Sequence, residues 1–437
     1  MLAHGSGTGQ SSRVNDSPDS ASTPLVARAA ALTLLEAALA RRAGLDEALS
    51  AGKFLRLSPL DRGFARALVM ATLRHLGPID RALDGKLKRE PPAPARNLMR
   101  LGLAQAFWLD TPDFAAVDTS VALAPKPLRG LVNAVLRGVL RDGPPSVEAE
   151  WLAPSWLFAR WRVTYGAASA DALARSILDE PPTDLTPRGD PDPAMIAALE
   201  ATQTPGGSLR TARRGDVSTW PGFQDGAWWV QDAAAALPAN LLHVGAGETA
   251  LDLCAAPGGK SLQLAAAGAT VVSVDRAAGR LRRLGAGLAR TGLEAELIIA
   301  DAATWRDPRL FDAVLLDAPC SATGTFRRHP DVLWNARPTE IAPLVIAQRE
   351  LIAAATARVK PGGRLVYSVC SLEFEEGEAQ ARALLMSQPL FQLDPIAPGE
   401  FGTPAASVSP EGWLRILPHH LEGGIDGFFI ARFRKAV

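Results

Sequence analysis

The chain has 437 residues, 47% of them hydrophobic, and its 46 basic side chains balance 46 acidic ones to a formal charge of zero. That length suits two or three domains with sizeable cores, while neutrality excludes a global basic field, so a nucleic-acid partner must be held by local patches. No uninterrupted apolar run reaches membrane-spanning length and the N-terminus has no basic stretch leading into an apolar one, which points to a cytoplasmic protein.

Residues 1–22 are rich in Ser, Gly and Asp without periodicity and predict a disordered tail. From Pro24 the pattern changes, with Ala27, Ala31, Leu34, Leu35 and Ala38 at helical spacing, and Ser58-Pro59-Leu60-Asp61 reads as a helix start with proline in the first turn. Further helices are predicted at 94–109, 113–123 and 127–141, so residues 23–145 form an all-α bundle. Gly143-Pro144-Pro145 marks a break. Residues 146–225 give two helical stretches and then short apolar pieces around one helix at Pro193–Thr202, a small α+β connector. From about 226 onward strands and helices alternate: strands at 250–253, 270–274, 295–299, 313–316 and 364–367, helices at 261–267 and 278–291. This is the pattern of an α/β, Rossmann-like domain with a mostly parallel sheet, whose ligands bind at the carboxyl ends of the strands.

Each of the three cysteines falls at such an end: Cys254 in Leu251-Asp252-Leu253-Cys254, Cys320 in Asp317-Ala318-Pro319-Cys320-Ser321, and Cys370 in Tyr367-Ser368-Val369-Cys370-Ser371. An odd number without a Cys-x-x-Cys spacing argues against a disulfide framework or a metal cage, and leaves thiolate chemistry as the leading idea. A lone strand-end cysteine is more often packing. Two over one pocket reverse that for Cys320 and Cys370, whereas Cys254 reads as a small apolar wall. The turn Ala255-Ala256-Pro257-Gly258-Gly259-Lys260 follows a strand and opens a helix, so backbone can approach a ligand and free N–H groups face it. Asp275 ends the next strand, placed for ribose hydroxyls, and Asp301 ends the one after, placed for an adenine amino group. The turn is neither Gly-x-Gly-x-x-Gly nor a Walker sequence, and S-adenosyl-L-methionine fits it better than a pyrophosphate cofactor. Taken singly, the two acids would more often be caps.

Leu251–Lys260, Asp317–Gly324 with Arg327-Arg328-His329-Pro330-Asp331, and the Tyr367–Ser371 block resemble the RsmB/NOP family of RNA cytosine-5 methyltransferases, together with Gly222–Gly226, Val230-Gln231-Asp232 and Asp426-Gly427-Phe428-Phe429. Residues 24–141 resemble the NusB fold, a combination that points to the small-subunit ribosomal RNA branch of the family. The resemblance implies a class I methyltransferase domain over 226–437, with Cys254, Ala255, Ala256, Pro257, Gly258, Gly259 and Lys260 lining the S-adenosyl-L-methionine site. It places Asp275 at the ribose, Asp301 near the adenine and Asp317 between cofactor and base. Cys370 matches the nucleophile and Cys320 the cysteine linked to product release. Val369 stands where a threonine is usual, and Leu185-Thr186-Pro187-Arg188 lacks the Arg-Val-Asn run often seen in the connector.

Carbon 5 of cytosine is a poor nucleophile, so a thiolate must first add at carbon 6, while nitrogen 3 receives a proton or hydrogen bond; a protonated Asp317 would donate there. The base must leave its stack, so the RNA is single-stranded or flipped. Arg327, Arg328 and His329 are predicted to hold flanking phosphates, and Phe326 or Trp334 to stack bases. Arg81, Lys86, Lys88, Arg89, Arg96 and Arg100 make the first domain the better candidate for an RNA surface, a solvated helical face being the alternative. The alternatives are the same reaction on transfer RNA, a non-catalytic RNA-binding assembly factor, and DNA methylation.

Overall fold

A computed structural model of the chain describes residues 24–41 and 44–437; the tail predicted for 1–22 lies outside them. The first region is the predicted helical bundle, built from Pro24–Ala40, Pro59–Arg74, Ala93–Trp108, Asp113–Leu123 and Arg129–Asp142, with shorter helices between. Ser58 caps the second of these by accepting the Asp61 N–H at 3.1 Å, as the Ser-Pro start predicts. Leu34, Leu35, Leu68, Leu73, Leu98 and Leu136 meet inside the bundle, each contributing about 2 kcal/mol by burial.

The bundle is fixed to the rest of the chain. Arg74, 5% exposed, donates to the carbonyls of Ile177 at 2.6 Å, Asp179 at 3.1 Å and Arg327 at 2.8 Å. The Trp334 indole donates to the Leu73 carbonyl at 2.9 Å and packs on the bundle core, and the Asn335 amide donates to the Ala38 carbonyl.

Helices Ser155–Tyr165 and Ala167–Arg175 share one core with Phe326, Leu333, Leu372 and Leu417. The helical half of the predicted connector thus packs on the C-terminal domain. The rest of it is a four-stranded antiparallel sheet of β1 (Thr183–Pro187), β2 (Thr202–Gln203), β3 (Leu209–Thr211) and β4 (Trp228–Val230) in the order β2-β3-β1-β4. Its last strand lies wholly beyond the boundary drawn at 225, and its helix spans Pro193–Ala198, shorter than predicted because Thr202 belongs to β2.

The C-terminal domain holds an eight-stranded sheet of β5 (Thr249–Leu253), β6 (Thr270–Asp275), β7 (Glu296–Ile299), β8 (Phe311–Asp317), β9 (Val359–Val369), β10 (Phe391–Leu393), β11 (Leu414–Ile416) and β12 (Phe428–Lys435). The order β10-β12-β9-β8-β5-β6-β7 is parallel from β9 to β7, with β12 inserted antiparallel between β9 and β10 and β11 paired to β12. Alternation along the strands covers both faces: Leu251, Leu253, Val314, Leu316, Leu365 and Tyr367 enter one core, Ala250, Ala313, Leu315 and Val366 the other. The chain leaves β5 toward β6 and β7 and then returns to β8 on the other side, so the sheet opens a crevice at the carboxyl ends of β5 and β8.

Among the described residues no helix is long and apolar enough to cross a membrane, and no group of three or more His, Cys, Asp or Glu side chains is arranged to hold a metal ion.

Candidate active site

Strands β8 and β9 run parallel with Asp317 opposite Ser368, so Pro319-Cys320 and Cys370 leave the sheet side by side. The two sulfurs lie 3.5 Å apart, and all three cysteines are free. Cys320 is 4% exposed, while Cys370 is only partly buried and the more accessible of the two. Its hydrogen bond with Cys370, together with burial, pushes the Cys320 thiol well above its ordinary pKa. Cys254 has a left-handed backbone at φ +64°, and burial followed by repulsion from Asp275 and Asp317 pushes its thiol up to about 12, in keeping with an inert wall.

Glu376 holds the two cysteine-bearing segments together. It accepts the Ser321 N–H at 2.9 Å, the Ser321 hydroxyl at 2.5 Å, the Ser371 hydroxyl at 2.5 Å and the Gln348 amide at 3.1 Å. Gln348 also donates to the Pro319 carbonyl at 2.9 Å, and the Tyr367 hydroxyl donates to the Glu376 carbonyl at 2.6 Å. Neighbouring Glu373 takes Arg160 at 2.7 Å, and Arg415 grips Glu378 through two nitrogens at 2.9 and 2.6 Å. Sequence reasoning missed this layer, because Glu373-Phe374-Glu375-Glu376-Gly377-Glu378 has the look of a solvated acidic run. Its only signal was the position directly after Cys370-Ser371. Gly324 completes the frame: its N–H donates to the Cys370 carbonyl at 3.0 Å, its carbonyl accepts the Gly427 N–H at 2.8 Å, and a Cβ there would lie 2.0 Å from the Gly427 oxygen.

The turn after β5 sits at the predicted place. Asp275, 4% exposed, accepts the Ala256 N–H at 3.1 Å on one oxygen and the Ala277 N–H at 2.8 Å on the other, which leaves each a second lone pair. Gly258, at φ +117°, lies so close to Leu284 that a Cβ would be 2.3 Å from its side chain. Asp301 is exposed and caps its own turn by accepting the Ala303 N–H at 3.0 Å. Carboxylates at successive strand ends around a helix N-terminus suit the hydroxyls and amino group of an adenosine, so the donor set fits the predicted cofactor.

Lys260 projects from the helix Gly259–Ala266 to Asp317, 2.7 Å away, with its ammonium 5.4 Å from the Phe428 ring centroid. Burial opposes its charge, but Asp317 and then Asp252 more than offset this and hold its pKa above the ordinary value. Ser368 donates to the other Asp317 oxygen at 2.9 Å. Asp317 therefore belongs to a Lys–Asp pair at the mouth of the crevice. Beneath the turn, Asp252 is fully buried and accepts the Ser261 hydroxyl at 2.6 Å, with its second oxygen unpartnered; burial pushes it up to about 7.

The predicted phosphate ligands are corrected by the structure. Arg327 is 2% exposed and donates to the Gly423 carbonyl at 2.9 Å. Arg328 donates to Asp232 at 2.6 and 3.0 Å, to Asp184 at 3.2 Å and to the Pro182 carbonyl at 3.0 Å, while Arg210 grips Asp184 at 2.7 and 2.9 Å. These ion pairs tie the connector sheet to the loop after Cys320, and breaking one would strand a buried charge. His329 remains exposed, 3.9 Å from Asp46. Phe326 is fully buried and Trp334 packs on the bundle, so neither offers a ring for stacking bases. In the bundle, Arg96 pairs with Asp80, Asp84 and Glu90, Arg100 with Asp80 and Lys86 with Asp142, so of the six cations predicted to meet RNA there, Arg81, Lys88 and Arg89 are exposed without a carboxylate partner among the described residues, Arg81 lying over the Trp151 ring.

Residues 239–434 match the family 16S rRNA methyltransferase RsmB/F, and residues 25–141 match the NusB family. Ribosomal RNA small subunit methyltransferase B of Pseudomonas syringae is 35% identical over 439 residues, covering 93% of this chain and 96% of that protein. The enzyme of the same name from Xanthomonas campestris is 34% identical over 442 residues, covering 96% and 99%. Among solved structures, PH0851 superposes with a TM-score of 0.77 at 25% identity over 95% of this chain and 99% of its own, and a methyltransferase homologue protein from Pyrococcus horikoshii with 0.53 at 26% identity over 65% and 96%. With its helical and catalytic regions matched in one chain, the protein belongs to the 16S rRNA methyltransferase RsmB/F family and carries a NusB-family domain at its front.

Proposed function

We propose that the protein methylates carbon 5 of a cytosine in RNA, small-subunit ribosomal RNA first among candidates, through a transient bond between Cys370 and carbon 6. The observation that carries this reading is the pair of free thiols 3.5 Å apart at the carboxyl ends of β8 and β9, beside the Lys260–Asp317 pair. S-adenosyl-L-methionine, held by the Cys254–Lys260 turn with Asp275 and Asp301, supplies an electrophilic methyl group. Cys370 gives up its thiol proton to water and adds as a thiolate to carbon 6, electron density moves to carbon 5, and nitrogen 3 receives a hydrogen bond from the Lys260 ammonium that Asp317 holds in place. After carbon 5 has taken the methyl group its hydrogen leaves as a proton, assisted by Cys320 or a water it orders, and the Cys370–carbon 6 bond breaks to restore the ring. Relatives named as small-subunit ribosomal RNA methyltransferases along nearly the whole chain favour that RNA over transfer RNA.

The test is methyl transfer from labelled S-adenosyl-L-methionine to unmethylated small-subunit ribosomal RNA, transfer RNA and DNA, with the product base identified by digestion. Label in 5-methylcytosine of the ribosomal RNA is the expected result. Label in another base overturns the chemistry, and transfer to none of the three favours an assembly factor.

A further inference from the structure

With Arg327 and Arg328 engaged inside the protein, the cations that meet RNA must lie elsewhere. The helix Ala278–Thr291 follows the Asp275 strand end. From Arg276 to Leu293 the chain carries Arg276, Arg280, Arg282, Arg283 and Arg290 and no acid, within a protein of zero formal charge. Leu281, Leu284, Leu288 and Thr291 face inward. Arg276, Arg282 and Arg283 are exposed, and none forms an ion pair or hydrogen bond among the described residues. The exposed residues beside them, Gly279, Ala286 and Ala289, are small, so a polyanionic backbone can approach the helix closely.

One end of this face is anchored to the predicted cofactor turn and the other to the connector. Arg280 donates to the Ala256 carbonyl of the cofactor turn. At the far end, about 15 Å away along the helix, Arg290 donates to the connector carbonyls of Phe223 at 2.8 Å and Trp228 at 3.0 Å, and the connector's Arg188 donates to Thr291 at 2.8 Å.

We infer that the outer face of this helix, led by Arg282 and Arg283, binds the phosphate backbone of single-stranded RNA and leads it between the connector and the cofactor turn. The inference rests on the RNA-methylation reading. Arginine in an open, unpaired setting suits phosphate, and contacts of this kind carry affinity without reading sequence.

The test compares the full-length Arg282→Gln/Arg283→Gln variant with the unmodified protein and with Arg282→Lys/Arg283→Lys. The Gln variant is expected to weaken binding of a single-stranded ribosomal RNA fragment by roughly tenfold or more near 0.1 M salt. The slope of log affinity against log salt should fall by about 1.4, two contacts at about 0.7 each. S-adenosyl-L-methionine affinity and unfolding temperature should stay constant, and the Lys variant should keep the salt slope. Unchanged RNA affinity and slope in the Gln variant overturn the inference while leaving methyl transfer intact. Failure of the unmodified protein to methylate any RNA overturns instead the reading on which it rests.

Discussion

Replacing Glu376 isolates the device that fixes the two cysteines relative to each other. In Glu376→Ala four donors lose their acceptor, but the Ser321 and Ser371 hydroxyls already lie 3.0 Å apart and can satisfy each other. The Ser321 N–H and one Gln348 N–H cannot, and a buried donor left without a partner costs about 1–3 kcal/mol, so the variant should lose about 4 kcal/mol. Glu376→Gln is milder. Its oxygen can keep facing the Ser321 N–H and Gln348 while its amide donates to the two hydroxyls, and only the strength added by charge is lost, about 1–2 kcal/mol. A shift of about 1 Å between reacting groups lowers rate by roughly a hundredfold, so the Ala variant should lose about that in kcat, the Gln variant about tenfold, with the KM for the methyl donor unchanged in both. The assay is single-turnover methyl transfer alongside thermal unfolding. An Ala variant with kcat within about twofold of the parent, or a Gln variant as damaged as the Ala variant, refutes the reasoning.

Two further outcomes follow from buried groups outside the pocket. Arg74→Ala leaves three carbonyls without their donor at the junction of bundle and catalytic region, and at about 1 kcal/mol each it should cost about 3 kcal/mol; calorimetry should then show the bundle melting separately, and a single unshifted transition would contradict the anchoring role. Asp252, pushed up to about 7 by burial, stays protonated in the folded chain while the unfolded chain ionises near 4, so stability falls as pH rises from about 4 to 7 and levels off above. Asp252→Asn should flatten that part of the curve of unfolding temperature against pH, and an unaltered slope would show that Asp252 does not titrate there.

Periodicity sufficed for the helices of the bundle, which turn one apolar stripe to a single core, and for β5, β6, β8 and β9, whose near-continuous apolar runs are buried on both faces. The cysteines could be placed from sequence for a related reason: a strand run ending in Pro-Cys-Ser or Val-Cys-Ser has one carboxyl end, and parallel neighbours share it. Strands β10, β11 and β12 were not legible as sheet members. Their pairing is antiparallel and spans long sequence separations, which local pattern does not encode. The charged residues misled most. Arg327-Arg328 reads as free to hold phosphates because the partner of Arg328, Asp232, is 96 residues away, and the acids that pair with Arg96 and Arg100 lie on other elements in the same manner. Burial of an arginine is decided by tertiary pairing, so local charge density could not separate these positions from Arg282 and Arg283, which the fold leaves open.

The central claim, that the Cys370 sulfur bonds to the base and Cys320 helps release it, is tested most directly by denaturing electrophoresis of cysteine variants incubated with substrate RNA and S-adenosyl-L-methionine. Cys320→Ala should accumulate a covalent protein–RNA species that the double variant Cys320→Ala/Cys370→Ala lacks. An adduct that persists without Cys370, or forms only when Cys320 is intact, would contradict the account.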